Sequence, residues 1–358
     1  MVSVPLSLEG RGSGEGGTSE RGTLTCVLSS LWDGVAIPTG WQSHWQGEEH
    51  RRVRANSATG ATIVPIITKA ILPAAGLGTR LLPATKAQPK EMLPVGRKPT
   101  VQYVVEELAA GGVTQLLVIS GQHKRALEDH LDIEPGDPGD LRKLLGPDWR
   151  PGIEIFYTRQ SVPEGLARAI GLGEGFVGEE SFIVALGDSI LFSGDGEPLL
   201  GRMLRAHGER QAAATIAVEE VPREAVSSYG VVKPAAGQET DAIFDIVDLI
   251  EKPKPEEAPS NLSVAARYVF SPVIFEAIRN LTPGAGGEYQ LTDAIRLLLA
   301  AGLNVVGVRL GPKERRYDIG NFASYFRACF DFSLADPEIG EDFAAYARAR
   351  LAKPGGPR

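Results

Sequence analysis

Cysteine is nearly absent: Cys26 and Cys329 are the only two in 358 residues, and most of the chain lies between them. Two thiols so far apart form neither a disulfide framework nor a set of metal ligands, and a reducing cytoplasm is the expected compartment. No apolar run approaches the ~20 residues of a membrane span. No basic stretch leads into a continuous apolar one near Met1, so a secretory signal is not expected. Positive charge is not in excess either. The 37 Lys and Arg against 45 Asp and Glu leave a formal charge of −8, which argues against nucleic acid or an anionic membrane as the main partner. No hexapeptide repeat is present, so no β-helical domain is appended.

What is present from Lys69 onward is an alternation of apolar strand-like runs with amphipathic helical ones. Strands are expected at Lys69–Leu72, Val113–Ser120, Ile153–Thr158, Phe182–Leu186, Ala213–Val221 and Val305–Leu310. Helices are expected at Thr100–Leu108, Gln122–Leu131, Gly165–Phe176, Pro198–Gln211, Pro272–Leu281, Tyr289–Ala301 and from Phe322 to the C-terminus. Such alternation predicts a mostly parallel sheet with helices on both faces. Closer-spaced strands at Tyr229–Lys233, Ile243–Ile250 and Leu262–Phe270 predict an antiparallel addition at one edge of the site. Residues 1–68 do not fit this pattern. Glycines crowd the start, Trp32, Trp41 and Trp45 lack periodicity around them, and Arg51-Arg52-Val53-Arg54 is an isolated basic run. The stretch reads as a disordered extension or as sequence upstream of the true start, with a small folded module as the alternative.

The chemistry gathers around Pro73–Pro94. A glycine-bearing loop leaves the end of a strand, and small residues there let backbone N–H groups approach a ligand closely. Arg80, Lys86 and Lys90 add positive charge beside it, as a polyphosphate requires. The loop is not a P-loop, because no Lys-Ser or Lys-Thr follows Gly76 or Gly78. It is not a dinucleotide fingerprint either, because Leu81 stands where the third Gly should be.

Other candidates fall beyond strand ends, where open α/β sheets bind ligands. Gln160 offers an amide for a base edge, and Gly165 would let a ring lie against backbone. Asp188 is a hard-oxygen donor suited to Mg²⁺, and Asp318 follows a further strand. Glu251 can accept from two sugar hydroxyls, and Lys252 can reach a sugar phosphate. No His or Cys stands in any of these motifs.

The stretch A-A-G-L-G-T-R-L-L-P-A-T-K-A-Q-P-K-E-M-L-P, Ala74 to Pro94, resembles the signature of the sugar-1-phosphate nucleotidyltransferases, in its bacterial UTP–glucose-1-phosphate uridylyltransferase form. The Glu251-Lys252-Pro253 segment through Arg267-Tyr268 and the Tyr229-Gly230 segment are similar to the same family. The resemblance covers roughly Lys69 to the C-terminus, with a catalytic domain expected at 69–330 and a helical tail at 331–358. It implies a Rossmann-like sheet and synthesis of UDP-glucose and pyrophosphate from UTP and glucose 1-phosphate, with Mg²⁺ as cofactor. By that resemblance Ala75, Gly76, Gly78, Thr79 and Glu91 hold the nucleotide, and Gln160 and Gly165 hold its base. Gly230, Glu251 and Asn261 hold the sugar, Arg80, Lys90 and Lys252 handle the phosphates, and Asp188 and Asp318 bind the metal. A homo-oligomer is expected.

Departures pull the other way. Gly165-Leu166-Ala167-Arg168-Ala169 and Leu186-Gly187-Asp188 are closer to the thymidylyltransferase forms, and Ala266 stands where a Gly is usual. A thymidylyltransferase is therefore the alternative, and a non-catalytic regulatory subunit is the alternative of another class. The latter predicts a broken charge set, whereas Arg80, Lys90, Asp188, Lys252 and Asp318 are all present.

Overall fold

Ala70, Ile71 and Leu72 are fully buried in succession in β1 (Lys69–Pro73), the signature of a central strand covered on both faces. The computed structural model describes residues 66–132, 152–192, 196–284 and 287–352. The glycine- and tryptophan-bearing stretch before residue 66 lies outside them.

β1 pairs in parallel with β4 (Gln115–Ser120) on one side and β6 (Phe182–Ala185) on the other. The sheet runs β5 (Glu154–Arg159), β4, β1, β6, β11 (Leu262–Phe270), β8 (Ala214–Glu220), β12 (Val305–Arg309), β10 (Ile243–Glu251), β9 (Gly230–Pro234). The pairings make β5, β4, β1, β6, β8 and β12 run one way, opposed by β11 and β10. This is the expected mixed, mostly parallel sheet; β9 and β10 make an antiparallel pair at one end of it, whereas β11, expected beside them, is an antiparallel strand inside the sheet between β6 and β8.

Neighbouring residues of β1 feed opposite faces. Ile71 belongs to a core with Phe182, Phe270 and Phe275, and Leu72 to another with Val104, Leu108 and Met203. Helix α1 (Thr100–Ala110) follows Pro99 and buries Val101, Val104, Val105 and Leu108, the one-sided stripe of a helix that packs on a sheet. A third, smaller core joins Leu81, Leu93, Val95, Ile190, Ile319 and Ala328. It ties the basic loop to helix α8 (Phe322–Leu334), which runs through residue 330, so the expected tail begins inside a helix.

Several boundaries differ from expectation for local reasons. The helix expected from Gln122, α2, starts at Arg125, because His123 has φ 62° and turns the chain. The expected Gly165–Phe176 helix is two, α3 (Leu166–Gly171) and α4 (Glu174–Val177), split at Leu172-Gly173. Helix α7 starts at Leu291 and leaves Tyr289 outside. The last helix ends at Leu334, and α9 (Gly340–Leu351) follows. The remaining helices, α5 (Leu199–Glu209) and α6 (Val273–Arg279), stand close to where the sequence places them. Two short ribbons escape sequence reading: β2 (Pro94–Val95) with β3 (Lys98–Pro99), and β7 (Ser189–Phe192) with β13 (Arg315–Asp318).

At Ala266 the sheet register shifts between Val264 and Tyr268, and φ is +61°. This left-handed backbone costs an alanine about 1–2 kcal/mol, which accounts for the glycine expected there. Ala266→Gly is predicted to stabilise the fold by about 0.5–1 kcal/mol once the added freedom of the unfolded chain is subtracted. A fall in melting temperature would refute this.

Candidate active site

The turn between β6 and β7 carries Asp188, and the end of β13 carries Asp318. In the β7–β13 ribbon Asp318 lies opposite Ser189, and Ile319 N–H donates to the Asp188 carbonyl at 2.8 Å. Two carboxylates more than a hundred residues apart thus become neighbours. Both side chains are mostly covered, 16% exposed for Asp188 and 19% for Asp318.

Their carboxyl pKa values are shifted in opposite directions because their neighbouring charges differ. Burial pushes Asp188 up, but the Lys90 ammonium, in direct contact with it, and Arg316 hold the carboxyl below its usual range. Asp318 is pushed up by burial and then by Asp188 itself. Arg316, Arg80 and Lys90 offset this only in part. Lys90 is held charged, since its carboxylate neighbours outweigh its burial. Its ammonium lies 3.6 Å from where a β-carbon on Gly76 would stand, so one cation bridges the glycine loop and the acidic pair.

A cleft of about 220 Å³ opens over this pair. Arg80 reaches it from the basic loop, and its guanidinium stands 3.0 Å from a β-carbon built on Gly320. Glu251 and Lys252 line it as well, with Lys252 Nζ 3.2 Å from Glu251 Oε1. Lys252 holds φ 44°, a conformation that non-glycine residues adopt at a cost and that clusters at functional sites. Gly230 lies alongside: a β-carbon there would come within 2.9 Å of Thr292 Cγ2 and 3.3 Å of Glu251 Oε2. Only glycine leaves Glu251 open to a ligand.

Other expected residues fall elsewhere. Ala75, Gly76, Gly78 and Thr79 do not line this cleft and join it through Lys90 and Arg80. Gln160, 8% exposed, donates to the Gly165 carbonyl at 3.4 Å. Gly165, at φ 108°, is compulsory for a reason unseen in the sequence. A β-carbon would stand 2.6 Å from the Tyr289 carbonyl oxygen, because the 164–167 segment exchanges backbone hydrogen bonds with Tyr289.

Two of the expected residues stand apart from the cleft lining. Glu91 is 1% exposed and accepts from the buried Lys124 ammonium at 2.8 Å, so its carboxylate braces the loop from beneath. Asn261 is outside the cleft lining, and its amide donates to Glu220 at 2.8 Å on the surface.

The sequence reading missed Arg316. It pairs with Glu219, lies 3.8 Å from Asp318 and stacks 4.5 Å over the Tyr229 ring. Thr292 was also missed. Its hydroxyl is buried at the cleft wall without a hydrogen-bond partner, and a buried unpaired hydroxyl favours a ligand that completes it. Among the described residues no group of three or more His, Cys, Asp or Glu is poised around a metal, and no helix is long and apolar enough to cross a membrane.

A family model described as nucleotidyl transferase matches residues 69–333. The chain belongs to the nucleotidyl transferase family. Within this family it is 40% identical over 293 residues to the UTP–glucose-1-phosphate uridylyltransferase of Streptococcus pyogenes, a match covering 78% of this chain and 93% of that one. It is 45% identical over 272 residues to a putative UTP–glucose-1-phosphate uridylyltransferase of Methanocaldococcus jannaschii, covering 74% and 92%. Among solved nucleotidyl transferases, the UTP-bound UGPase of Acinetobacter baumannii superposes with a TM-score of 0.70 at 34% identity, covering 79% of this chain and 99% of that one.

Proposed function

We propose that the protein makes UDP-glucose and pyrophosphate from UTP and glucose 1-phosphate. The carrying observation is the Asp188–Asp318 pair, set across a single ribbon from each other and flanked by Arg80, Lys90 and Lys252. The similarity to uridylyltransferases of 40–45% identity supports the choice of substrates.

In this reading a phosphate oxygen of glucose 1-phosphate attacks the α-phosphorus of UTP in line. A new P–O bond forms, the bond from the α-phosphorus to its bridging oxygen breaks, and pyrophosphate leaves with that oxygen. Both reactants are anions, so positioning and neutralisation are the main tasks. Arg80 holds the departing β- and γ-phosphates. Lys90 exchanges the Asp188 carboxylate for the α-phosphate, and Lys252 holds the attacking phosphate. Glu251, left open by Gly230, accepts from the sugar hydroxyls, and Thr292 is placed to complete that contact. No general base is required, because the attacking phosphate is already deprotonated near neutral pH.

The acidic pair suits Mg²⁺. Two carboxylates are enough for this ion when phosphates and water supply the other oxygens. Asp318 is pushed up by burial and by its neighbour Asp188, and a divalent cation between the two would offset that repulsion. The bound ion would supply charge to offset the phosphate oxygens.

The base is read as uracil. The Ala167 departure carries little weight for thymine, since Ala167 is fully buried. A ring methyl alone discriminates by roughly 10–200-fold, so kcat/KM with UTP is expected to exceed that with dTTP by at least about tenfold. A ratio favouring dTTP would move the protein to thymidylyl transfer. Pyrophosphate release that is absent with every nucleotide would leave a non-catalytic subunit.

The two cations can be told apart. Lys252→Ala should raise the KM for glucose 1-phosphate more than that for UTP, and Arg80→Ala should mainly impair UTP use. The reverse pattern in steady-state kinetics would exchange their roles.

A further inference from the structure

A second cavity, of about 360 Å³, shares no lining residue with the cleft. Helix α3 separates the two. Leu166 faces the cleft, while Arg168, Gly171 and Leu172 turn toward the second cavity, which α6 closes with Phe275 and Ile278. The size is that of a small-metabolite site.

Its chemistry is two-sided. Phe275 and Ile278 form a covered apolar wall, with Leu172 half exposed beside them. Three arginines and two glutamates line the rest, a surplus of one positive charge, and one arginine of the three, Arg279, pairs with Glu174. Glu164 is exposed. Among the described residues neither Arg159 nor Arg168 has a carboxylate partner. Arg168 lies flat on the Tyr289 ring, 4.1 Å from its centroid, and its Nε is buried with no acceptor. Two unpaired guanidinium forks beside an apolar wall suit a phosphate attached to an apolar body.

We propose that this cavity binds a small organic phosphate and that its occupation tunes UTP affinity in the cleft. The coupling is built into the backbone. Gln160 lines the second cavity. Tyr289, on which Arg168 stacks, accepts from Ala167 N–H at 3.1 Å and donates to the Glu164 carbonyl at 2.8 Å, on either side of Gly165. A phosphate that engages Arg168 therefore acts on the segment carrying Gln160 and Gly165. The binding half of the proposal stands by itself. The coupling half rests on the reading that Gln160 and Gly165 hold the base.

Phenyl phosphate is the probe, titrated calorimetrically into the full chain with the cleft saturated by UDP-glucose. Binding is expected under those conditions, tighter than for inorganic phosphate. Arg159→Gln and Arg168→Gln should each weaken it by about tenfold or more, and Arg159→Gln should do so without changing turnover in the absence of probe. The probe should also shift the KM for UTP in the wild type and not in Arg168→Gln. Binding abolished by UDP-glucose would place the probe in the cleft and overturn the proposal, as would undiminished binding in both variants. Arg159 is exposed, so its variant remains informative if loss of the Tyr289 stack destabilises the other. Binding with no change in UTP KM would overturn the coupling. Gln160→Ala separates the two readings: an unchanged UTP KM there refutes the base assignment and leaves the second site standing.

Discussion

Asp188→Asn is expected to lose turnover by about 10²–10³-fold or more while remaining folded. The amide keeps the shape of the side chain and can still accept from Lys90. It removes the charge that, with Asp318, makes the pair a magnesium site. Chelation of the wild type should have the same effect, and added Mg²⁺ should reverse it. Asp318→Asn should be severely impaired as well. Retention of full activity in chelator, or in folded Asp188→Asn, would exclude the metal from the reaction.

Arg267→Met should produce the largest loss of stability, about 3–5 kcal/mol. Arg267 is fully buried and donates to both oxygens of Glu107, at 2.6–3.2 Å. It also donates to the carbonyls of Leu186 at 3.4 Å, Ala266 at 3.0 Å and Ser189 at 3.0 Å. Leu186 and Ser189 flank the turn that presents Asp188, so the guanidinium holds that turn from behind. Its removal strands a carboxylate and takes a donor from each of three carbonyls, of which Ala266 and Leu186 keep a backbone N–H. The melting temperature should fall by roughly 10 °C, at about 2–4 °C per kcal/mol for a chain of this size, and kcat should fall with it. A melting temperature within a degree or two of wild type would show that the clamp is not needed.

The sequence carried the strand–helix alternation, because apolar runs and helical stripes are local signals. It carried most of the charge set, because Arg80, Lys90, Asp188, Lys252 and Asp318 stand in ordered motifs. The ribbon that joins Asp188 to Asp318 was not legible, since β7 and β13 are four residues each and pair across more than a hundred positions. The partner of Glu91 was not legible either, since a carboxylate inside such a motif looks the same in sequence whether or not it pairs, as here, with a buried lysine. Arg316 was printed in the Asp318 motif, but its value depends on Glu219 and Tyr229, which only the fold brings to it. Gly165 was singled out for a ligand, while its nearest constraint is the Tyr289 backbone.

The third core has a consequence for synthesis. The basic loop emerges early from the ribosome, yet Leu81, Leu93 and Val95 rest on Ile319 and Ala328, and Asp318 lies in the same late stretch. Chains grow at about 5–20 residues per second, with earlier portions folding first. Half of the sheet can therefore pair long before the loop has anything to lean on. Competence to bind and turn over nucleotide should appear abruptly, only after helix α8 has left the exit tunnel, and ribosome-stalled chains ending near residue 310 should be compact but inert.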